Sequence, residues 1–122
     1  MTAAQAIDRT DRLKPNSYAY ADKLVWLSQL DGTVKREIID KYEGEAPEFI
    51  PYTENNDPDR ALLAEAPFDE MYIHYLSAQI DYFNGEYDRF NNSNSMFESA
   101  YSAFRNAYNS THSPKETKKN FF

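Results

Sequence analysis

The 122-residue sequence predicts a mainly α protein: a small helical bundle with a C-terminal helical hairpin and a Pro-rich middle loop that has room for a short β-hairpin. Three observations carry that prediction. Apolar residues recur at three- and four-residue steps from about Tyr20 to Glu43, and the same periodicity returns between residues 68 and 109. Between these stretches fall four of the six prolines, Pro47, Pro51, Pro58 and Pro67, which exclude a long helix there. The length suits one domain with one core, expected over residues 1–114, with a flexible basic tail over 115–122.

Element by element, Thr2 followed by Gln5 matches a capping box, in which a hydroxyl and an amide satisfy orphan backbone N–H groups. A short first helix then runs towards Leu13, and Leu13-Lys14-Pro15-Asn16 reads as a turn. On the second helix Leu24, Leu27, Leu30, Val34, Ile38 and Tyr42 share one stripe, and Trp26 and Ile39 lie off it, so a second face also needs cover. Gly32 weakens this helix or marks close packing, and Gly44 is its left-handed stop. Residues 37–70 carry eleven acids against Lys41 and Arg60, a net charge of −9. Within them, Phe49–Tyr52 and Ala61–Ala64 can pair as a hairpin around Asn55-Asn56-Asp57-Pro58. An irregular connection this long is often functional.

Beyond Pro67, Ile73, Leu76, Ile80 and Phe83 form a stripe with Tyr72, Tyr75, Gln79 and Tyr82 beside it. Tyr87, Phe90, Asn94, Phe97, Tyr101, Phe104 and Tyr108 then alternate by three and four, a heptad seam with one polar member. Ala100, Ala103 and Ala107 flank it. Asn84-Gly85 is a good helix stop and Glu86 suits a helix start, so an antiparallel hairpin is expected in place of one kinked helix.

Composition narrows function. The net charge is −7 and there is no cysteine. An acid excess argues against gripping a phosphate backbone, although it suits a wall that DNA slides past. Disulfides and thiolate metal sites are impossible. The first residues lack a signal-peptide pattern and the longest apolar run, Leu24–Leu27, is far short of a membrane span; the chain reads as a soluble product of a cytoplasm, with no membrane partner.

No catalytic residue, metal site or cofactor is expected. His74 follows Glu70 by four residues, but no further ligand completes a site; His112 sits in a polar segment. Asp69, Glu70, Glu86 and Asp88 stand where helix N-termini favour acids, and Asp81 lies nearby. These carboxylates define the enzyme alternative, an acidic-face, metal-dependent nucleotide hydrolase, yet no adjacent base would grip a phosphate. No nucleophile elbow or phosphate loop is present. The unusual feature is aromatic: ten Tyr, eight Phe and one Trp. Tyr couples large contact area to a polar tip, which suits partly wet interfaces. Tyr72, Tyr75, Tyr82, Tyr101 and Tyr108 are therefore the candidate interaction residues, with Lys115, Lys118 and Lys119 of the tail opposing the acidic middle.

Several pieces in order resemble a known family. Arg12-Leu13-Lys14-Pro15-Asn16, Trp26-Leu27-Ser28-Gln29-Leu30-Asp31-Gly32 and Ile80-Asp81-Tyr82-Phe83-Asn84-Gly85-Glu86-Tyr87 are the main ones. With Asn91-Asn92-Ser93, Ala100-Tyr101 and Tyr108-Asn109-x-x-His112-x-Pro114, they resemble small head–tail connector (neck adaptor, head completion) proteins of long-tailed bacteriophages and prophages. The resemblance runs from about residue 5 to 114. It implies a structural, non-enzymatic protein of the virion neck that self-associates in a ring. Such a ring docks on the portal protein, extends the DNA channel, meets other neck or tail-completion proteins, and lets DNA pass without specific binding. A cytoplasmic partner-binding helical module is the remaining alternative.

Overall fold

The computed structural model describes residues 1–42, 44, 47–55 and 59–112. In chain order it contains α1 (Ala3–Leu13), α2 (Tyr20–Glu37), a 3-10 turn (Ile39–Lys41), α3 (Glu70–Phe83) and α4 (Tyr87–Thr111), with no strand among the described residues. The protein is therefore mainly α. No helix among those residues is long and apolar enough to cross a membrane.

Helix α1 opens on the expected capping box, Thr2 and Gln5 exchanging hydrogen bonds of 2.9 and 3.1 Å. Its buried face is Ala3, Ala6, Ile7 and Thr10, one stripe at three–four spacing. The Thr10 hydroxyl donates to the Ala6 carbonyl (2.8 Å), so its burial leaves no loose donor. After Leu13 the Pro15 ring prevents continuation. The Asn16 side chain then ties the turn, donating to Asp11 and the Lys14 carbonyl and accepting from the Tyr18 N–H.

Helix α2 buries Leu24, Leu27, Leu30, Val34 and, at its cap, Ile38. It ends at Glu37, short of the expected Glu43, and passes into the single 3-10 turn. Two consecutive β-branched residues, Ile38 and Ile39, weaken the helix there. The turn also lets Tyr42 reach α4, where its ring meets Tyr108 edge-on at 5.3 Å. Gly44 has a φ of 114°, the left-handed stop read from the sequence, but it follows a helix that has already closed.

The expected hairpin between Phe49–Tyr52 and Ala61–Ala64 does not form among the described residues. Ala61 instead makes an isolated antiparallel bridge with Thr2, and the Leu62 N–H donates to the Met1 carbonyl (2.9 Å). Tyr52 N–H is taken by the Ser28 hydroxyl (2.8 Å), and Pro51 has no N–H to give. Side chains of α2 thus capture the donors that a ladder would have used.

Helices α3 and α4 form the expected antiparallel pair. Gly85, at φ 74°, is the left-handed residue of a Schellman stop. Its N–H donates to the Tyr82 carbonyl (3.0 Å) and that of Glu86 to the Asp81 carbonyl (2.9 Å). The register is heptad throughout: Tyr82 meets Phe90, Tyr75 meets Phe97 and Phe68 meets Phe104, at ring separations of 5.5, 5.1 and 6.1 Å. Each step of one heptad back on one side is one heptad forward on the other. Among the helices, α4 packs on α3 alone, while α1, α2 and α3 contact one another.

Candidate interaction surface

The middle segment is positioned from inside. Asp31 falls on the apolar stripe of α2 and is fully buried. Its carboxylate accepts from the Tyr52 hydroxyl (2.5 Å), the Tyr72 hydroxyl (2.6 Å) and the Leu63 N–H (3.0 Å). The Tyr72 oxygen in turn accepts from the Ala64 N–H (2.8 Å). One carboxylate on α2 therefore holds two separated points of the middle segment and a tyrosine of α3. Burial raises the Asp31 carboxyl above its ordinary range, against the opposing pull of the two tyrosines and the Leu63 N–H. Burial, then the Asp31 charge, pushes both phenols upward, so both stay protonated donors.

So anchored, the segment lays Phe49 over Gly32, its ring 4.0 Å from where a Cβ would stand. Phe49 meets Tyr52 edge-on, and the Arg60 guanidinium sits 4.4 Å from the Tyr52 ring centre and bonds the Ile50 carbonyl. Beside them opens an apolar groove of about 300 Å³ over Ile39, Pro47, Ile50 and Leu63. A second groove shares Ile39 and Leu63 and runs past Phe68 and Phe104 to Tyr108 and His112 at the end of α4.

At the opposite end of the α3–α4 pair stands an aromatic ledge. Tyr82, Phe83 and Tyr87 are 50, 54 and 62% exposed. Phe83 stacks on Trp26 (5.5 Å between centroids, 5° between planes), and Tyr18 meets Trp26 edge-on. Tyr18 also donates to the Asn84 side chain (2.7 Å). The rings are thus held from below and open above.

The candidate residues divide between these places. Tyr72 is withdrawn from any surface role: it is fully buried and its hydroxyl serves Asp31. Tyr75 and Tyr101 are half-buried and share a groove with Phe97, facing Leu30 and Thr33 of α2. The Tyr101 oxygen is buried with no hydrogen-bond partner among the described residues, and burial raises its pKa. Tyr108 stacks on His112 at 3.7 Å; the Tyr42 hydroxyl bonds Asn109 beside it. Tyr82 belongs to the ledge. Lys115, Lys118 and Lys119 lie outside the described residues. The seam aromatics of α4 from Phe90 onward face inward while Tyr87 stays on the ledge, and the outer face shows Asn91, Asn92, Ser95, Ser99, Asn106 and Asn109.

Four of the five acids of the enzyme alternative are occupied within the fold, and the fifth, Asp88, is exposed on the first turn of α4. Asp81 is buried and accepts from Lys14 (2.8 Å) and Ser93 (3.0 Å). Asp69 pairs with the Met1 ammonium, Glu70 with Arg9 and Glu86 with Arg89. No group of three metal-ligating side chains converges among the described residues.

The sequence reading missed the Asp31 latch, the groove at Phe49 and Ile50, and two of the three ledge rings. Asp31 carried a signal, since it stands four residues after Leu27 and three before Val34, a charge on an apolar stripe. Trp26, off that stripe, pointed to the ledge that covers it. Compared with known proteins, the chain matches no family model, no curated protein and no solved structure.

Proposed function

We propose that the chain is a structural subunit of a phage or prophage neck, a head–tail connector that assembles as a ring on the portal protein. The ring extends the DNA channel and presents a surface to the next neck or tail-completion protein. The observation that carries this reading is the ledge. Ile80–Tyr87, the longest piece of the resemblance to connectors, is the segment that turns the α3–α4 corner and leaves Tyr82, Phe83 and Tyr87 exposed. A chain that uses its Schellman stop to display three supported rings has a surface suited to a protein partner.

The occupant of the ledge is a second copy of the chain. Three large rings, each about half exposed, offer roughly 300 Å² of apolar surface, an upper bound of about 7 kcal/mol at 25 cal/mol per Å². Association itself costs about 4–15 kcal/mol, so one such contact does not hold free subunits together. Neighbours aligned by a portal avoid most of that cost, and a closed ring repeats the contact at every junction. The acidic balance of −7 keeps a channel wall from gripping DNA.

The test is binding to DNA-filled heads that carry portal but no tail. The full-length protein is expected to add a ring of density beneath the portal in electron micrographs, and Phe83→Asp with Tyr87→Asp to abolish it without unfolding the subunit. Wild-type protein that never associates with such heads overturns the connector reading. A ring that forms normally from the double variant overturns the ledge as the contact.

A further inference from the structure

Because α4 packs on α3 alone among the helices, a cleft of about 330 Å³ stays open between α2 and α4, with Tyr75 of α3 in its lining. Gln29, Thr33 and Glu37, spaced four apart on one face of α2, form one wall. Phe97 and Tyr101 of α4 form the other. We infer that this cleft takes the side chain of an arginine presented by a protein partner, its guanidinium among the Tyr75, Phe97 and Tyr101 rings and beside the Glu37 carboxylate.

The rings suit a flat cation. Tyr75 and Phe97 lie 5.1 Å apart between centroids at 56°, and Phe97 and Tyr101 5.6 Å apart at 45°. Neither pair is stacked face to face, and all three side chains are half-buried, so ring face is left for a third planar group. A guanidinium is planar, more weakly hydrated than an ammonium, and stacks on aromatic faces. The protein already shows the pairing once, with the Arg105 guanidinium 5.8 Å from the Tyr101 ring centre. The charge of the cleft is one-sided. Glu37 is the one charged residue in the described lining; it is exposed and makes no ion pair among the described residues. Its field reaches the rings: after burial, Glu37 holds the Tyr101 phenol above its ordinary value, with Arg105 pulling the other way. Neither Arg105 nor Arg36, next to Glu37 in the chain, lines the cleft. At the other end of the same wall, eight residues and about 12 Å back along α2, stands Gln29. Its side-chain amide is exposed and without a hydrogen bond among the described residues. An amide offers a donor and an acceptor together, the match for a peptide unit, so an arginine carried on a backbone uses more of the wall than a free small cation does. None of this rests on the connector reading.

The probe is a blocked glycine–arginine–glycine tripeptide, titrated into ¹⁵N-labelled full-length protein at constant ionic strength beside its lysine and citrulline counterparts and N-ethylguanidinium. The arginine peptide is expected to bind in the millimolar range, as a few partly exposed cation–π and ion-pair contacts allow. It should shift the amide signals of Gln29, Thr33, Tyr75, Phe97 and Tyr101 and leave the remote Asn84–Tyr87 corner unchanged. Citrulline, which keeps the shape without the charge, should bind about tenfold more weakly. Lysine and N-ethylguanidinium should each bind about threefold more weakly, the first for want of a planar head and the second for want of a backbone to meet Gln29. Glu37→Gln, at an exposed position that leaves the fold intact, should weaken the arginine peptide about three- to fivefold. Arg105→Gln removes a like charge and should strengthen it about twofold. Absence of shifts at the cleft, equal binding of the arginine peptide and its lysine or citrulline counterpart, equal binding by the wild type and Glu37→Gln, or weaker binding by Arg105→Gln overturns the inference. N-ethylguanidinium that binds as tightly as the peptide overturns a protein partner as the source of the cation.

Discussion

Replacing Asp31 by alanine should be the most damaging single-atom-group deletion in the middle of this fold, and its size follows from what the carboxylate holds. Three buried donors converge on it, the Tyr52 and Tyr72 hydroxyls and the Leu63 N–H. Each donor left unpaired costs about 1–3 kcal/mol, and because two hydroxyls on one acceptor can turn toward each other, the net loss is about 3–4 kcal/mol. For a chain of this size that is a fall in Tm of about 12–16 °C, measured by circular dichroism or calorimetry. Two conservative variants make the account specific. Tyr72→Phe removes a donor to the carboxylate and also strands the Ala64 N–H, which donates to the Tyr72 oxygen. Tyr52→Phe removes a donor and a hydrogen bond from Arg60, whose guanidinium is partly exposed, so water and the Ile50 carbonyl take its place. Tyr72→Phe should therefore cost about 1 kcal/mol more than Tyr52→Phe. A D31A protein that melts near the wild type, or a reversed order of the two tyrosine variants, refutes the latch.

Further outcomes follow from the same geometry. Because burial raises the Asp31 carboxyl above its ordinary value of 3.8, the folded protein binds that proton more tightly than the unfolded chain. Asp31's contribution to stability is then largest below pH 3.8 and declines as pH rises through the raised folded value; above that it is flat. In Asp31→Asn this portion of the stability–pH curve should disappear, as denaturant titrations at a series of pH values can show. Gly85→Ala forces a Cβ into a φ of 74° and should cost about 1 kcal/mol in chemical denaturation. Gly32→Ala goes the other way, gaining about 0.5–1 kcal/mol of helix stability, because its Cβ meets only the Phe49 ring at 4.0 Å. Tyr101→Phe deletes a buried oxygen that has no partner among the described residues and should raise stability by about 1 kcal/mol; a loss of stability would show that the hydroxyl is satisfied in solution.

Periodicity exposed the helices because burial on one face leaves a three–four signature, and stop signals exposed the corner because a left-handed residue is nearly always glycine. The α3–α4 pair, its heptad register and the capping box at Thr2 were legible for those reasons. The middle segment was not. Its donors go to Ser28, Asp31 and the first residues of the chain, partners tens of residues away that leave no local pattern. Two short apolar runs, Phe49–Tyr52 and Ala61–Ala64, flanking Asn55-Asn56-Asp57-Pro58 suggested a hairpin, yet such runs serve equally well as segments pinned separately to a helix. The end of α2 was overextended because the apolar stripe continues through Tyr42 while the backbone does not. Among the candidate aromatics, the seam predicted which rings cluster but not which stay outside. Tyr72 went to the interior because a buried carboxylate needed its donor; Phe83, read as a stripe residue, stayed half exposed because the stripe runs past the end of the bundle.

That last point bears on how an assembly would use the protein. Helix α4 is the longest element and packs on one helix only, so its outer face is the obvious place for a lateral neighbour. Its chemistry argues otherwise. Asn91, Asn92, Ser95, Ser99, Asn106 and Asn109 are exposed there, and short amides and hydroxyls supply little apolar area to offset the cost of association. They do hydrate well. The supported rings gather instead at one end of the α3–α4 pair, and the two apolar grooves that share Ile39 and Leu63 open near the other. Unlike apolar features at opposite ends, with a wet flank between them, supply the two different patches that a head-to-tail contact requires. Under the connector proposal, a ring built that way would leave the polar face of α4 to solvent or to DNA sliding past, where a surface that binds nothing tightly would be the useful one.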